Sequence, residues 1–196
     1  MNITLVSPPQ WSPHIPPLGL PLLTGYLQKN GYHVRQCDLN IEVYETILSP
    51  EYLTKIWNRV LERLSLKNRN QTLATDEQRE YYSLFRASLI GRYKIDEVQQ
   101  AKATLRDPEA FLDFRSYWES RLVLEEVLQM VAAAYFPTAF SLATFQTRRP
   151  LQSYDDFLHI TQNEQENPFI ELYKEHFLER FLQEPPDVLG VSIIGM

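Results

Sequence analysis

The residues best placed to do chemistry lie in a proline-rich stretch, residues 7–23, which reads "SPPQWSPHIPPLGLPLL". It holds six of the chain's 13 prolines and follows the apolar run "ITLV". Proline has no backbone N–H, the first glycine is Gly19, and no lysine or arginine precedes Lys29. A phosphate-binding loop needs such donors and glycines. We therefore expect a rigid, apolar wall on which Trp11 stacks a flat ligand; the alternative is that the prolines only stiffen a connection.

Few other residues form a recognisable reactive group. Cys37 is the single cysteine, so this chain alone cannot hold an iron–sulfur cluster that needs three or four thiolates. His33, His159 and His176 are too far apart in the sequence to indicate a metal site. Any binding or catalytic site therefore depends on the residues that the fold brings next to the proline-rich stretch.

Composition argues against two classes of partner. The formal net charge is -6 and the isoelectric point is about 5.3, whereas nucleic-acid binding needs a concentrated basic face. No apolar run reaches the roughly 18–20 residues of a membrane span, and the N-terminus lacks the pattern of a signal peptide. We expect a cytoplasmic protein with neither a nucleic-acid nor a membrane partner.

The order of elements predicts an α/β fold. Residues 2–6 and the segment "YHVRQCDLN" have strand composition, and a helix spans residues 18–30 between them. Such a unit implies parallel strands with a right-handed crossover. Residues 41–184 are mostly helical, and "VLGVSII", residues 188–194, is typical of a third buried strand.

These elements divide the chain into three predicted parts: a strand–helix–strand part at residues 1–40, a helical insertion at 41–184 and a third strand at 185–196. We predict a truncated Rossmann-like, flavodoxin-like parallel sheet of about three strands in the order 2-1-3, with an all-helical insertion between the second and third strands. A strand with an uncovered far edge indicates a sheet that continues elsewhere. Because the crossovers diverge between the first and third strands, a ligand crevice should form at their carboxyl ends, between the proline-rich loop and Ser192.

Capping residues mark four helix starts within the predicted insertion. Side chains of serine, threonine, aspartate and asparagine accept hydrogen bonds from the free N–H groups of a first helical turn. Thr75 and Gln78 have the spacing of a capping box. A cap followed by proline at the first helical position occurs at Ser49-Pro50, Asp107-Pro108 and Asn167-Pro168.

The succession "VSPP…PPLGLPLLTGYLQKNGYHVRQCDLN…PDVLGVSIIG" resembles the N-terminal cobalamin-binding domain of radical SAM enzymes. That family typically shows a proline-rich turn after the first strand, then P-P-L-G-L, G-H/Y-x-V, D-x-N and P-D-x-V/L-G-x-S. The matching residues, 2–40 and 185–195, flank the helical insertion. The resemblance implies that the chain binds cobalamin along its sheet.

The resemblance assigns the proline-rich loop to the cofactor. Ser7, Pro8, Pro9 and Trp11 correspond to loop residues near the corrin ring. His14 has an offset similar to that of the cobalt-ligating histidine in the D-x-H-x-x-G motif of other cobalamin domains, but the aspartate and glycine of that motif are absent. His14 is therefore either an axial cobalt ligand or a loop histidine without a metal role; radical SAM members often lack the motif.

The other corresponding residues lie at the ends of the second and third strands. Asp38 and Asn40 match the D-x-N that closes the second strand, and Ser192 matches the serine that faces the nucleotide tail of cobalamin. The CxxxCxxC site of radical SAM enzymes is absent. The resemblance thus implies that S-adenosylmethionine and a 4Fe-4S cluster belong to a C-terminal radical SAM domain, the expected partner, and that this chain alone is inactive.

Two other functions are compatible with the sequence. The first is a nucleotide- or sugar-nucleotide-binding half-domain of a transferase, which requires a phosphate-bearing ligand. The second is a non-catalytic interaction module in which the helices bind a partner. The sequence selects no substrate or reaction.

Overall fold

The computed structural model describes residues 1–9, 18–69, 73–147 and 152–192. A single turn of 3₁₀ helix, Ile95–Glu97, separates the fourth and fifth helices, and a π-helical segment, Tyr173–Leu178, separates the last two. In chain order the other elements are β1 (Asn2–Ser7), α1 (Gly19–Lys29), β2 (His33–Asp38), α2 (Leu39–Ile47), α3 (Pro50–Asn68), α4 (Thr75–Lys94), α5 (Val98–Arg106), α6 (Pro108–Leu112), α7 (Phe114–Ala134), β3 (Ala139–Phe140), β4 (Phe145–Gln146), α8 (Tyr154–Gln162), α9 (Pro168–Leu172), α10 (Glu179–Gln183) and β5 (Val188–Val191).

The protein has a Rossmann-like α/β fold. Its parallel sheet has three strands in the order β2-β1-β5, and the long region between β2 and β5 is mostly helical. The predicted fold class and strand order 2-1-3 are confirmed. By contacts within the chain, Met1–Glu45 and Pro168–Met196 form one compact unit and Thr46–Asn167 a second. We call them the sheet unit and the helical unit.

In the sheet unit, one face of the sheet packs against α1. Side chains alternate between the two faces of a strand, and Ile3 and Leu5 point to the same face. They form a buried cluster with Leu20 and Val34, and Leu27 packs against it. Full burial of each such side chain contributes about 1.5–3 kcal/mol, so this cluster holds α1 on the sheet.

Ion pairs join β2 and α2 to the last helical stretch of the sheet unit. The guanidinium of Arg180 donates to Oε1 and Oε2 of Glu42 at 3.2 and 2.7 Å. Arg35 donates to Glu184 at 3.1 Å. The Arg180–Glu42 pair is bidentate, a geometry that fixes orientation as well as adding energy.

The helical unit has its own core, built from α3, α4, α5 and α7. Ile56, Leu84, Val98 and Leu128, one from each helix, are at most 1% exposed. After α7 the chain forms a short antiparallel pair, β3 with β4, where the sequence predicted only helix. Two-residue strands are too short to show an alternating pattern. No helix in the described ranges is both long enough and apolar enough to cross a membrane.

The structure tests the predicted helix caps. The hydroxyl of Ser49 accepts from the N–H of Tyr52 at 3.2 Å, and Asp107 accepts from the first turn of α6 at 3.1 and 2.8 Å; both caps are confirmed. The Thr75–Gln78 capping box is wrong. Thr75 already lies in α4, and the carboxylate of Glu77 instead accepts from the N–H of Ala74 at 3.0 Å.

Two glycine substitutions should have opposite effects on stability. A Cβ at Gly91 would overlap the indole ring of Trp57, which is fixed by its hydrogen bond to the carbonyl of Ser88 at 3.0 Å. Gly91→Ala should therefore lower the free energy of unfolding by about 1–3 kcal/mol. Nothing lies within 4 Å of a Cβ at Gly25 in α1, so Gly25→Ala should raise it by about 0.5–1 kcal/mol.

Urea denaturation followed by circular dichroism measures both changes. Since the substitution is identical, the difference between the variants reports packing rather than alanine's helix propensity. A Gly91→Ala variant with a higher free energy of unfolding would show that the Trp57 ring moves aside without a cost in stability.

Candidate functional site

The carboxyl ends of the three strands bring predicted site residues into one row. Ser7 pairs with Asp38 in the register of β1 and β2. β5 pairs with β1 in parallel through Val191 and Val6, and the N–H of Ser192 donates to the carbonyl of Val6 at 2.9 Å. The predicted placement of the third strand beside the first is confirmed. Ser7, Asp38 and Ser192 thus lie at one edge of the sheet.

The first residues of the proline-rich stretch continue from this edge. Ser7 is only 5% exposed, Pro8 is half-buried and Pro9 is buried. Trp11 and His14 lie outside the described residues. Stacking by Trp11 and cobalt ligation by His14 therefore stay predictions.

Asp38 and Asn40 lie where the chain passes from β2 into α2. Oδ1 of Asp38 accepts a hydrogen bond from the N–H of Ile41 at 3.2 Å. This hydrogen bond satisfies one of the backbone N–H groups that have no partner within the first turn of α2. Asn40 follows in that turn and is 4% exposed. Asp38 thus has a helix-capping role, and a role of either residue towards a cofactor stays a prediction.

An apolar cleft of about 290 Å³ lies in the sheet unit, and we call it the sheet cleft. The sheet lines it at the carboxyl ends of β1 and β5, and the π-helical segment and α10 line the other side. Pro8 and the first residue of α2 complete it. Its lining residues are Val6, Pro8, Leu39, Tyr173, Lys174, Phe177, Leu178, Phe181, Leu189 and Val191.

The strand register explains which residues face the sheet cleft. Val6 pairs with Val191, and the residue two positions earlier in β1 pairs with Leu189. These side chains lie on the face opposite Ile3 and Leu5, which α1 covers. The volume of the sheet cleft lies just below the range of about 300–1,000 Å³ for ligand pockets, so a flat apolar group of one or two rings fits.

The helical wall of the sheet cleft departs from α-helical geometry. The segment Tyr173–Leu178 is π-helical, and such segments occur frequently at functional sites. Tyr173 and Phe177 pack edge to face, with ring centroids 5.5 Å apart. Sequence reasoning missed this wall. Aromatic residues at every fourth position, Tyr173, Phe177 and Phe181, predict a helix face but not the sheet that it meets.

Few polar groups reach the sheet cleft. Tyr173 and Lys174 are the polar residues among its described lining residues, and the surface of the cleft is almost entirely apolar. No group of three or more histidine, cysteine or carboxylate side chains in the described ranges could hold a metal ion. This arrangement can bind and orient an apolar group; its residues form no acid–base or nucleophile pair.

The stability of the sheet unit should depend on the ionisation of Tyr173. Burial raises the pKa of Tyr173 to about 12, because tyrosinate loses hydration; in an unfolded chain the pKa is about 10. The native state holds this proton more tightly, so the stabilisation is complete below about pH 10 and is lost as the pH rises towards 12. Relative to Tyr173→Phe, the wild type should lose about 1 kcal/mol between pH 9 and pH 11.

Urea denaturation of both proteins at each pH measures this loss. The phenylalanine variant keeps the ring and removes the proton, so ionisation of all other groups cancels in the comparison. A free-energy difference that stays constant across this range would contradict the assignment.

Comparison with protein families, with curated proteins and with solved structures identifies no match to this chain. The features of the chain that bear on its function are therefore the strand order, the sheet cleft and the residues at the carboxyl edge.

Proposed function

We propose that this chain is the N-terminal cobalamin-binding part of a radical SAM enzyme. The observation that carries the proposal is the parallel pairing of β1 with β5, which puts the sheet cleft beside the start of the proline-rich loop. Open α/β sheets bind ligands at such carboxyl ends, where the strand order reverses. The proposed partner is a C-terminal domain that holds S-adenosylmethionine and the 4Fe-4S cluster.

The described residues fit one part of cobalamin. Its nucleotide tail ends in a flat aromatic base, and the sheet cleft offers apolar walls from Val6, Phe177, Leu178 and Val191. Ser192, the counterpart of the serine facing that tail, follows directly after β5. The corrin ring is larger than the cleft, so it would be held outside it, towards the loop that continues from Pro9.

The lining residues make a phosphate-rich ligand a poor fit. Lys174 is the only cationic side chain among the described residues that line the sheet cleft, and a diphosphate requires several donors. Prolines replace the N–H donors that a phosphate-binding loop would supply. These features favour cobalamin over a nucleotide sugar.

In this proposal the chain binds and positions the cofactor. Bound cobalamin supplies a cobalt centre of the kind used in methyl transfers and ring rearrangements. Apolar side chains of the sheet cleft exclude water from the base of the tail, and the cap formed by Asp38 fixes the start of α2, whose first residue, Leu39, lines the cleft. The carboxyl edge of the sheet thereby stays in one conformation for the cofactor.

Two valines of β5 offer a matched test. Val191 lines the sheet cleft, whereas Val188 pairs with Ile3 and lies on the opposite face; they are 50% and 43% exposed. Titration of the chain with hydroxocobalamin should give a saturable change in the visible spectrum. Val191→Phe should weaken binding at least about tenfold by filling the cleft, and Val188→Phe should change it less than twofold.

ATP and UDP-glucose serve as competing ligands in the same experiment. If the folded wild type leaves the cobalamin spectrum unchanged while ATP or UDP-glucose binds saturably, the proposal fails in favour of a nucleotide-binding function. Equal effects of the two valine substitutions would show that cobalamin does not use the sheet cleft.

A further inference from the structure

A second cavity, of about 560 Å³, lies wholly within the helical unit. α4 and α7 form two of its sides, and the segment around β3 forms a third. It is about twice as large as the sheet cleft and falls within the range of about 300–1,000 Å³ typical of ligand sites. We call it the helical cavity.

The helical cavity has one cationic side chain among its described lining residues, Arg86. Arg86 makes no hydrogen bond, ion pair or ring contact with any residue that the structure describes. Its neighbours along α4 differ: Arg79 pairs with Asp76, and Arg92 lies over the ring of Tyr93 at 5.5 Å. Arg86 is exposed, so it presents a hydrated guanidinium without a counter-ion among the described residues at the cavity wall.

The remaining walls are neutral. Ser83 brings a hydroxyl group and Gln129 an amide, whereas the Ser141 hydroxyl is engaged with the backbone of Ala143 and Thr144. No acidic residue lines the cavity within the described ranges. Ser83 and Gln129 make no hydrogen bond to another described side chain or backbone group outside their helices. An anion that pairs with Arg86 would thus find further donors and meet no opposing charge.

The floor of the helical cavity is apolar. Ala87 and Ile90 on α4, and Phe140 in β3, are at most 9% exposed and line it. At the rim Tyr82 is 68% exposed and offers an aromatic face. A ligand that fills this space must carry an apolar body as well as its charge.

We propose that the helical cavity binds a small organic monocarboxylate with an aromatic or branched apolar body. One guanidinium balances the charge of one carboxylate and can form a bidentate pair of hydrogen bonds with it. A diphosphate would need more cations or a row of backbone donors. This site does not depend on cobalamin binding in the sheet unit.

The pair 2-naphthoate and 2-naphthamide tests the charge. They have the same shape, but only the acid is anionic. Isothermal titration of the full chain should show saturable binding of naphthoate, with naphthamide at least about tenfold weaker, since a hydrogen bond to a charged group is worth roughly that factor or more. Arg86→Gln should remove this difference.

Arg92→Gln is the matched control, because Arg92 lies on the same helix and does not line the cavity; it should leave both affinities unchanged. Ala132→Leu, at a half-buried lining position, should weaken both compounds by filling the space. Circular dichroism checks that each variant folds. Equal affinities of acid and amide for the wild type, no binding of either, or an Arg86→Gln variant that still prefers the acid would each overturn the proposal.

Discussion

The structure depends on the parallel pairing of β1 with β5. These strands are distant in sequence, yet the hydrogen-bonded register runs from Ile3–Val188 to Val6–Val191. Contacts beyond both ends extend it: the N–H of Asp187 donates to Asn2 at 2.9 Å, and that of Ser192 donates to Val6 at 2.9 Å. Without this pairing β1 would be an edge strand, and neither the sheet cleft nor the row of edge residues would exist.

The same pairing decides what chemistry the sheet unit supports. With α1 on one face, the other face at the carboxyl ends of β1 and β5 meets the π-helical segment across an apolar gap. Asp38 and Arg180 do not line this gap and are engaged in structure: Asp38 caps α2, and Arg180 pairs with Glu42. The site is therefore suited to holding a small apolar group by shape.

Much of this fold could be predicted from local patterns in the sequence. Apolar runs marked the strands, and Gly31, with a φ of 82°, ends α1 as a left-handed residue should. The predicted capping box was one residue too late: Thr75 has a typical capping side chain, whereas the actual N-cap residue, Ala74, has no side-chain acceptor. The crevice at the carboxyl ends of β1 and β5 was predicted, but its helical wall and the helical cavity were not, because both depend on long-range packing. No local spacing encodes which faces of distant segments come together.

In the sequence, the helical unit lies between β2 and β5, and this sets the order in which the parts of the protein are synthesised and can fold on the ribosome. Roughly 150 residues separate Asp38 from Val188, so at about 5–20 residues per second β5 is made about 8–30 s after β2. During that interval β1 has one strand partner, and the whole helical unit, Thr46–Asn167, is synthesised before β5. The carboxyl edge of the sheet, with the sheet cleft beside it, is thus the last part of the described chain to form.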